Sequence, residues 1–252
     1  MVGFSALHDP EGRLLEISQH YLPEISNLFS GLVIAASPQT KTEYSNIKGK
    51  GNIAFYTCGK VDDFTLRRKT ALEKALTQFP DTAYWAFDLD KLLHWYLTLR
   101  SELVSHIKSA PEGLVVMGRS QQAWDTYPKS WQDTESIVNY LAAKVFKKDG
   151  WDFYSGQFYM DSKMAEIIFS HSLEADFSQN MEWIQLAYIS SKLNYHAYDG
   201  LSWEDPDRFQ AEIKNLGYNK WYDQTYDNFN EWQKRIHNLV VAVNYLEKIS
   251  SE

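Results

Sequence analysis

Cysteine is almost missing from this chain: Cys58 is the one cysteine among 252 residues. A lone thiol excludes an internal disulfide and any cysteine-rich metal cage. Long apolar runs are missing too, and no stretch of about 18 apolar residues exists to cross a bilayer. The opening MVGFSALHDPEGRLLEI has no basic segment followed by an apolar core, so no secretory signal is expected. Basic charge is in deficit: 25 Lys and Arg stand against 33 Asp and Glu, a net charge of −8. A general nucleic-acid binder normally carries a basic face, so that class is disfavoured. These absences lead to the expectation of a soluble, cytoplasmic protein with no membrane span and no nucleic-acid partner. Several signatures are absent as well, namely G-x-G-x-x-G after the first strand, G-x-x-x-x-G-K-[ST], G-x-S-x-G and H-E-x-x-H. Dinucleotide oxidoreductases, P-loop enzymes, α/β-hydrolases and zincins thereby lose their usual markers. No internal repeat, low-complexity segment or clear interdomain linker interrupts the chain.

What is present is aromatic. Hydrophobic and charged contents are ordinary, but 15% of residues are aromatic, nine of them Trp. Such side chains fill cores and also make stacking platforms for rings and sugars, so the enrichment fits a packed core or a ligand groove. The length permits one large domain or two small ones.

The first half alternates strand-like and helix-like stretches. MVGFSAL reads as a strand ending at the turn HDPEGR. Leu14, Ile17, Tyr21, Leu22, Ile25 and Leu28 follow helical spacing, with Pro23 expected to kink or restart the helix. GLVIAAS (31–37), NIAFYTCG (52–59), AYWAF (83–87) and GLVVMG (113–118) are further strand candidates. Leu72, Ala75, Leu76 and Phe79 give the apolar stripe of a helix that ends before Pro80. Strands separated by helices imply right-handed crossovers and a mostly parallel sheet, whose ligands sit outside the C-terminal strand ends. In the second half, helices are expected over 133–147 and 180–193, and WDFYSGQFYM (151–160) as a strand broken at Gly156. Ser162 is expected to cap a helix from Lys163, and YHAY (195–198) reads as a strand before the loop DGLSWEDPD. Phe229, Trp232, Ile236, Leu239, Val240, Val243 and Leu246 space out a long amphipathic helix, packed on the body or on a second copy of the chain.

AYWAFDLDKLLHW (83–95) raises the chemical question, because a buried strand runs into two carboxylates. Carboxylates beside an apolar wall need a cation or hydrogen bonds. Residues i and i+2 on a strand end point the same way, so Asp88 and Asp90 can reach one site, where hard oxygens suit Mg²⁺ or Mn²⁺. The alternative is that Asp90 caps the following helix and Asp88 pairs with a base. Spacing alone leaves the two readings level.

Three stretches carry a family resemblance: TLRRKTALEKALTQFPDTAYWAFDLD, GRSQQAWDTYP with WQDTESIVN, and DFYSGQFYMDSKMAEII with NMEW. Together and in this order they resemble the glycosyltransferase A (GT-A) fold, and more closely its family-2-like enzymes that use nucleotide-diphosphate sugars. The resemblance covers roughly residues 1–205. It implies a mostly parallel, mixed sheet flanked by helices, forming a GT-A-like catalytic domain over 1–210 with a helical extension over 211–252. It also implies a nucleotide-diphosphate sugar as donor, an unknown acceptor, and Mg²⁺ or Mn²⁺ held by Asp88 and Asp90. Arg67 and Arg68 match the basic position before the D-x-D strand, and His8 and Asp9 the nucleotide-binding position after the first strand; solvated charges and a plain turn are the structural alternatives. Glu182 matches the acidic residue that serves as general base in inverting members. Family-2 enzymes often carry an adjacent acidic pair there, whereas Asn180, Met181 and Trp183 surround Glu182 here. Arg119 would reach a phosphate or the acceptor, His196 would supply a third metal ligand, and Asp152 and Gly156 resemble acceptor-loop positions. Trp124, Trp131 and Trp183 serve as sugar platforms or as core. Two other functions stand beside glycosyl transfer. One is a non-catalytic binding protein with the same fold. The other is a sugar nucleotidyltransferase, for which LHDPEGRLLE is a poor version of the required Gly-rich loop.

Overall fold

A computed structural model describes residues 1–47, 53–59, 63–174, 176 and 178–251. In chain order the elements are β1 (Val2–Leu7), α1 (Leu15–Ile25), β2 (Gly31–Ala36), β3 (Ile53–Thr57), α2 (Phe64–Gln78), β4 (Tyr84–Ala86), α3 (Leu89–Thr98), α4 (Arg100–Lys108) and β5 (Leu114–Arg119). There follow α5 (Gln121–Trp124), α6 (Lys129–Phe146), β6 (Phe158–Met160), α7 (Ser162–His171), α8 (Gln179–Ile189), β7 (Leu193–Tyr198), α9 (Asp205–Arg208), α10 (Gln210–Leu216), α11 (Tyr218–Thr225) and α12 (Phe229–Ser250). Asn52, the first residue of the third expected strand, lies outside the described residues.

The strands form one seven-stranded sheet in the order β3-β2-β1-β4-β6-β5-β7. All neighbours run parallel except β6, which is antiparallel to both β4 and β5. Helices cover both faces. This mostly parallel, mixed sheet with a C-terminal helix is the arrangement that the resemblance implies. The period-2 alternation of strands sorts their side chains between two cores. Val2, Phe4, Val33, Ala35, Tyr84 and Ala86 face one core with residues of α2, α6, α7, α8 and α12. Leu32, Ile34, Trp85 and Phe87 face the other, with α1, α3 and α4. β2 is buried along its whole length, which explains why GLVIAA is continuously apolar.

Several local expectations shift. α1 runs through Pro23 and ends at Ile25, so the proline sits in its last turn. The cap of α7 is Asp161, whose carboxylate accepts from Met164 N at 2.8 Å, and Ser162 is already helical. Only Phe158–Met160 of the 151–160 segment is strand, because the turn through Gly156 precedes it. Residues beyond 210 join the body. α12 lies along α6 and contributes Ala242, Tyr245 and Leu246 to the core of the sheet. Trp203, Trp221 and Tyr226 cluster with Tyr127, which ties the 203–226 segment to the β5–α6 connection. The outer seam of α6 and α12 leaves Ile137, Tyr140, Ile236 and Val240 exposed. Among the described residues no helix is long and apolar enough to cross a membrane.

Candidate active site

The parallel strands other than β6 end at one edge of the sheet, and antiparallel β6 begins there. Asp88 follows β4, Gly156 and Gln157 precede β6, and α12 with the 203–209 segment roofs the space between. The result is a cleft of about 400 Å³. Its floor carries Arg68, Asp88, Gly156 and Asn180. One wall, on α3 and α9, presents Asp90, Lys91, Glu204, Asp205 and Arg208. A second wall, on α6 and α12, presents Trp131, Glu135, Glu231, Arg235 and Asn238.

Both aspartates of the D-x-D sequence line this cleft; Asp88 makes no capping bond, whereas Asp90 takes one first-turn N–H of α3 as well as facing the cleft. Asp88 occupies the N-cap position of α3, yet its carboxylate makes no capping bond. Instead the Gln157 amide clasps it: Nε2 donates to Asp88 Oδ2 at 2.9 Å, and Asp88 N donates to Gln157 Oε1 at 3.3 Å. Asp88 Oδ1 has no hydrogen-bond partner among the described residues. Burial pushes the Asp88 carboxyl up to about 6, with Lys91 opposing and Asp90 adding to the rise. Asp90 lies in the first turn of α3, where its Oδ1 accepts from Lys91 N at 2.9 Å. Its Oδ2 accepts from Arg208 Nη1 at 3.0 Å.

Asp90, Glu204 and Asp205 each bring a carboxylate oxygen within 4.8 Å of the others. Internal cations hold this cluster together. Lys91 Nζ lies 2.8 Å from Glu204 Oε1, and Arg208 Nη1 also reaches Asp205 Oδ1 at 3.4 Å. The Tyr226 hydroxyl donates to the remaining oxygen of Asp205, and the Tyr127 hydroxyl is shared between the Leu201 carbonyl at 3.1 Å and Glu204 Oε2 at 3.3 Å. The four carboxylates, Asp88 included, exceed Lys91, Arg208 and Arg68 by one negative charge, so the cleft carries a net negative field that attracts a cation. Every donor is a hard oxygen, the type that suits Mg²⁺ or Mn²⁺; the oxygens that converge are those of Asp90, Glu204 and Asp205, Asp88 lying outside that group, and a cation there would displace Arg208 or Lys91.

Arg68 is the buried cation of the floor, yet its hydrogen bonds go to neutral acceptors. Nη1 donates to Asn180 Oδ1 at 2.6 Å and Nη2 to the Gly156 carbonyl at 2.5 Å. The guanidinium lies 4.5 Å from the Trp183 ring centroid and 5.3 Å from that of Phe158. Burial lowers it to about 10, with Asp88 pulling the other way. Gly156 has φ of 75°, a left-handed conformation that presents its carbonyl to Arg68 and favours glycine.

Other candidates fall elsewhere. Glu182 is turned away from the cleft. It accepts from Ser172 Oγ at 2.5 Å, from Leu173 N at 2.6 Å and from Glu174 N at 3.3 Å, so it anchors the 172–174 connection. The residue that α8 presents to the cleft is Asn180. Arg67 is buried against Gly59 and does not line the cleft. Arg119 is held inside by Asp152 and Glu135, between the rings of Trp124 and Tyr127 at 4.4 and 4.6 Å. Asp9 is buried in its turn, accepting from Arg13 N, Leu14 N and the Tyr44 hydroxyl. His8 is exposed, with Nδ1 2.7 Å from Ser37 Oγ. His196 stands exposed on the edge strand β7 against Tyr198, on a different depression from Asp88 and Asp90. Glu204 and Asp205 are the cleft residues that the sequence read only as loop.

No family profile and no curated protein matches the chain. Three similar solved structures are very distant in sequence. Glucosyl-3-phosphoglycerate synthase from Mycobacterium tuberculosis, in complex with Mn²⁺, uridine diphosphate and phosphoglyceric acid, is 10% identical with a TM-score of 0.48. That alignment covers 77% of this chain and 66% of the synthase, so the chain spans less than two-thirds of its length. The same enzyme with uridine diphosphate alone is 11% identical over 96% of this chain and 79% of that one, at a TM-score of 0.47. The 4-diphosphocytidyl-2C-methyl-D-erythritol synthase of Anaerococcus prevotii is 13% identical over 85% of this chain and 97% of that one, at 0.44. Likeness at this level leaves the activity to be argued from the cleft itself.

Proposed function

We propose that the chain is a glycosyltransferase that moves a sugar from a nucleotide-diphosphate donor to a hydroxyl acceptor. The observation that carries this reading is the floor of the cleft. Asp88, with one carboxylate oxygen unpartnered among the described residues, acts electrostatically on Arg68, a buried cation whose hydrogen bonds among the described residues go to neutral acceptors. Asp88 and Asp90 would hold the divalent ion, with Glu204 and Asp205 close by. When bound, that ion supplies Lewis-acid neutralisation of the departing diphosphate. Arg68 adds fixed positive charge at the same end, and its cage of Trp183, Phe158 and neutral acceptors keeps it in place without solvent reorganisation. Gln157 fixes Asp88 through Oδ2 and leaves Oδ1 without a hydrogen bond among the described residues. Arg208 neutralises Asp90 and Asp205 until a cation competes for them.

The test is a thermal-shift screen of the protein against UDP-, GDP-, ADP- and TDP-sugars, with and without Mn²⁺. A ligand that binds only the native state raises stability by RT ln(1 + [L]/Kd). A Mn²⁺-dependent shift that disappears in Asp88→Ala is the expected result; no shift with any donor sinks the reading.

A second reading has its own support. Both oxygens of Glu204 and of Asp205 are already hydrogen-bonded, and α8 offers the cleft an amide. A non-catalytic binding protein would bind the donor in the same screen but release no nucleoside diphosphate from it. A homo-oligomer would form through the exposed α6–α12 seam, which light scattering would reveal as a mass above that of the monomer.

A further inference from the structure

The donor reading leaves the acceptor hydroxyl without a proton acceptor, because Glu182 points elsewhere and Asn180 cannot serve as a base. The carboxylates of the cleft narrow the choice. Both oxygens of Asp90, Glu204 and Asp205 are engaged by cations, hydroxyls or, for Asp90 Oδ1, the Lys91 backbone N–H. Glu231 receives Trp131 Nε1 at 2.9 Å and Arg235 Nε at 2.5 Å on one oxygen, and although its other oxygen makes no hydrogen bond among the described residues, the carboxylate faces two cations, Arg235 and Lys234 at 4.0 Å, which hold its charge. Asp88 belongs to the cation end. Glu135 remains: it lines the cleft from α6, its Oε2 accepts from Arg119 Nη2 at 2.6 Å, and its Oε1 has no hydrogen-bond partner among the described residues.

Resting on the glycosyltransferase reading, we propose that Glu135 is the catalytic base that receives the proton of the acceptor hydroxyl through Oε1. The acceptor oxygen forms its bond to the anomeric carbon as its proton passes to Glu135. The bond from that carbon to the diphosphate oxygen breaks, and its electron pair leaves with the diphosphate. The setting suits the task. Arg119 fixes the carboxylate but is shared with Asp152, which takes two of its donors at 2.7 and 2.9 Å. Charged and titratable groups face Glu135 from each neighbouring element: Arg119 from β5, Asp152 and Tyr154 from the segment before β6, Tyr127 from the β5–α6 connection and Arg235 from α12. Burial raises the carboxyl above its ordinary value, which strengthens it as a proton acceptor near neutral pH. The acceptor would lie against the α6–α12 wall, between Trp131, Tyr154 and Asn238.

The experiment follows nucleoside diphosphate release from the best donor of the screen with Mn²⁺, using water and then glycerol as hydroxyl acceptors. Wild type is compared with Glu135→Gln and with Glu135→Asp, which keeps the charge opposite Arg119. Glu135→Gln is expected to keep the donor-induced thermal shift and to lose about 100-fold or more in release rate, together with the acidic limb of the pH–rate profile. Should Glu135→Gln fail to fold, Glu135→Asp is expected to lose about tenfold in rate with unchanged donor binding. Release by the folded variants within about threefold of wild type, with the same pH profile, overturns the role of Glu135 and leaves the transferase reading intact. A bound donor with no release even in wild type overturns the role and favours the binding protein. Absence of any donor shift in wild type removes the transferase reading, and this role with it.

Discussion

Two buried arginines flank the cleft, and they handle their charge in opposite ways. Arg119 lies between two rings and faces two carboxylates, which raise its affinity for the proton. Arg68 also lies on aromatic rings but donates to an amide and a peptide carbonyl, and burial lowers it. A cation with its counter-charges built in is a structural element, since a buried pair resists the loss of either partner. A cation held by neutral acceptors keeps its field for something that arrives. The contrast separates a cation satisfied by carboxylates within the fold from one whose hydrogen bonds go to neutral groups, although both residues are buried arginines.

Breaking the scaffold side should have the largest effect. Arg119→Met leaves Asp152 and Glu135 buried without their cation, and a loss of about 3–5 kcal/mol is expected in urea unfolding. A loss under about 1 kcal/mol would mean that those carboxylates find other partners. Arg68→Met should sharpen the contrast, lowering stability by about 1–2 kcal/mol for two orphaned acceptors. Its affinity for UDP or GDP, measured calorimetrically with Mn²⁺, should fall by about 100-fold, as for a lost charge-assisted contact. Equal affinity in the two proteins would count against diphosphate at the floor.

His106 shows a third way of burying a basic group, which is to remain neutral. It is packed among Trp85, Trp95, Tyr159 and Tyr198, and burial lowers its pKa to about 3. A depressed pKa contributes stability that is complete above the unfolded value near 6.5 and is lost as pH falls toward the folded one. Between pH 6 and 4 this residue should therefore add a slope of about 1.4 kcal/mol per pH unit, which His106→Phe removes. Parallel curves for the two proteins would refute that account. The smallest effect is expected at Arg208, which competes with any cation for Asp90 and Asp205. Arg208→Ala should tighten Mn²⁺ binding by roughly fivefold at low salt; unchanged or weaker binding would argue that the cluster is only an internal ion-pair network.

The sheet was legible because each strand is a short apolar run closed by turn residues, and the D-x-D pair was legible because it follows such a run. The helix that positions Glu182 was legible too, but its phase was not. At 100° per residue, Asn180 and Glu182 point some 200° apart, so a start at Gln179 turns the amide inward and the acid outward. The 151–160 segment looks like strand throughout because Trp151, Phe153 and Tyr154 are as apolar as strand residues, yet the left-handed turn at Gly156 confines β6 to Phe158–Met160. The roof carried no local signal at all. Glu204 and Asp205 meet Asp90 only after the chain has crossed the sheet, and Glu135 reaches the cleft only because Arg119 and α12 hold α6 beside it.

β6 has only three residues, yet it pairs with Tyr84–Ala86 on one side and with Leu114–Val116 on the other. The first four strands can thus assemble as a contiguous unit, while β5, next to emerge during synthesis, has no partner in that unit. Only insertion of a later segment joins the halves, a non-local pairing of the kind that slows folding. The same insertion brings Gln157 to Asp88. Completion of the sheet and the positioning of Asp88 are thus coupled in the fold, and a chain without the β6 insertion would hold its first four strands together with Asp88 unclasped.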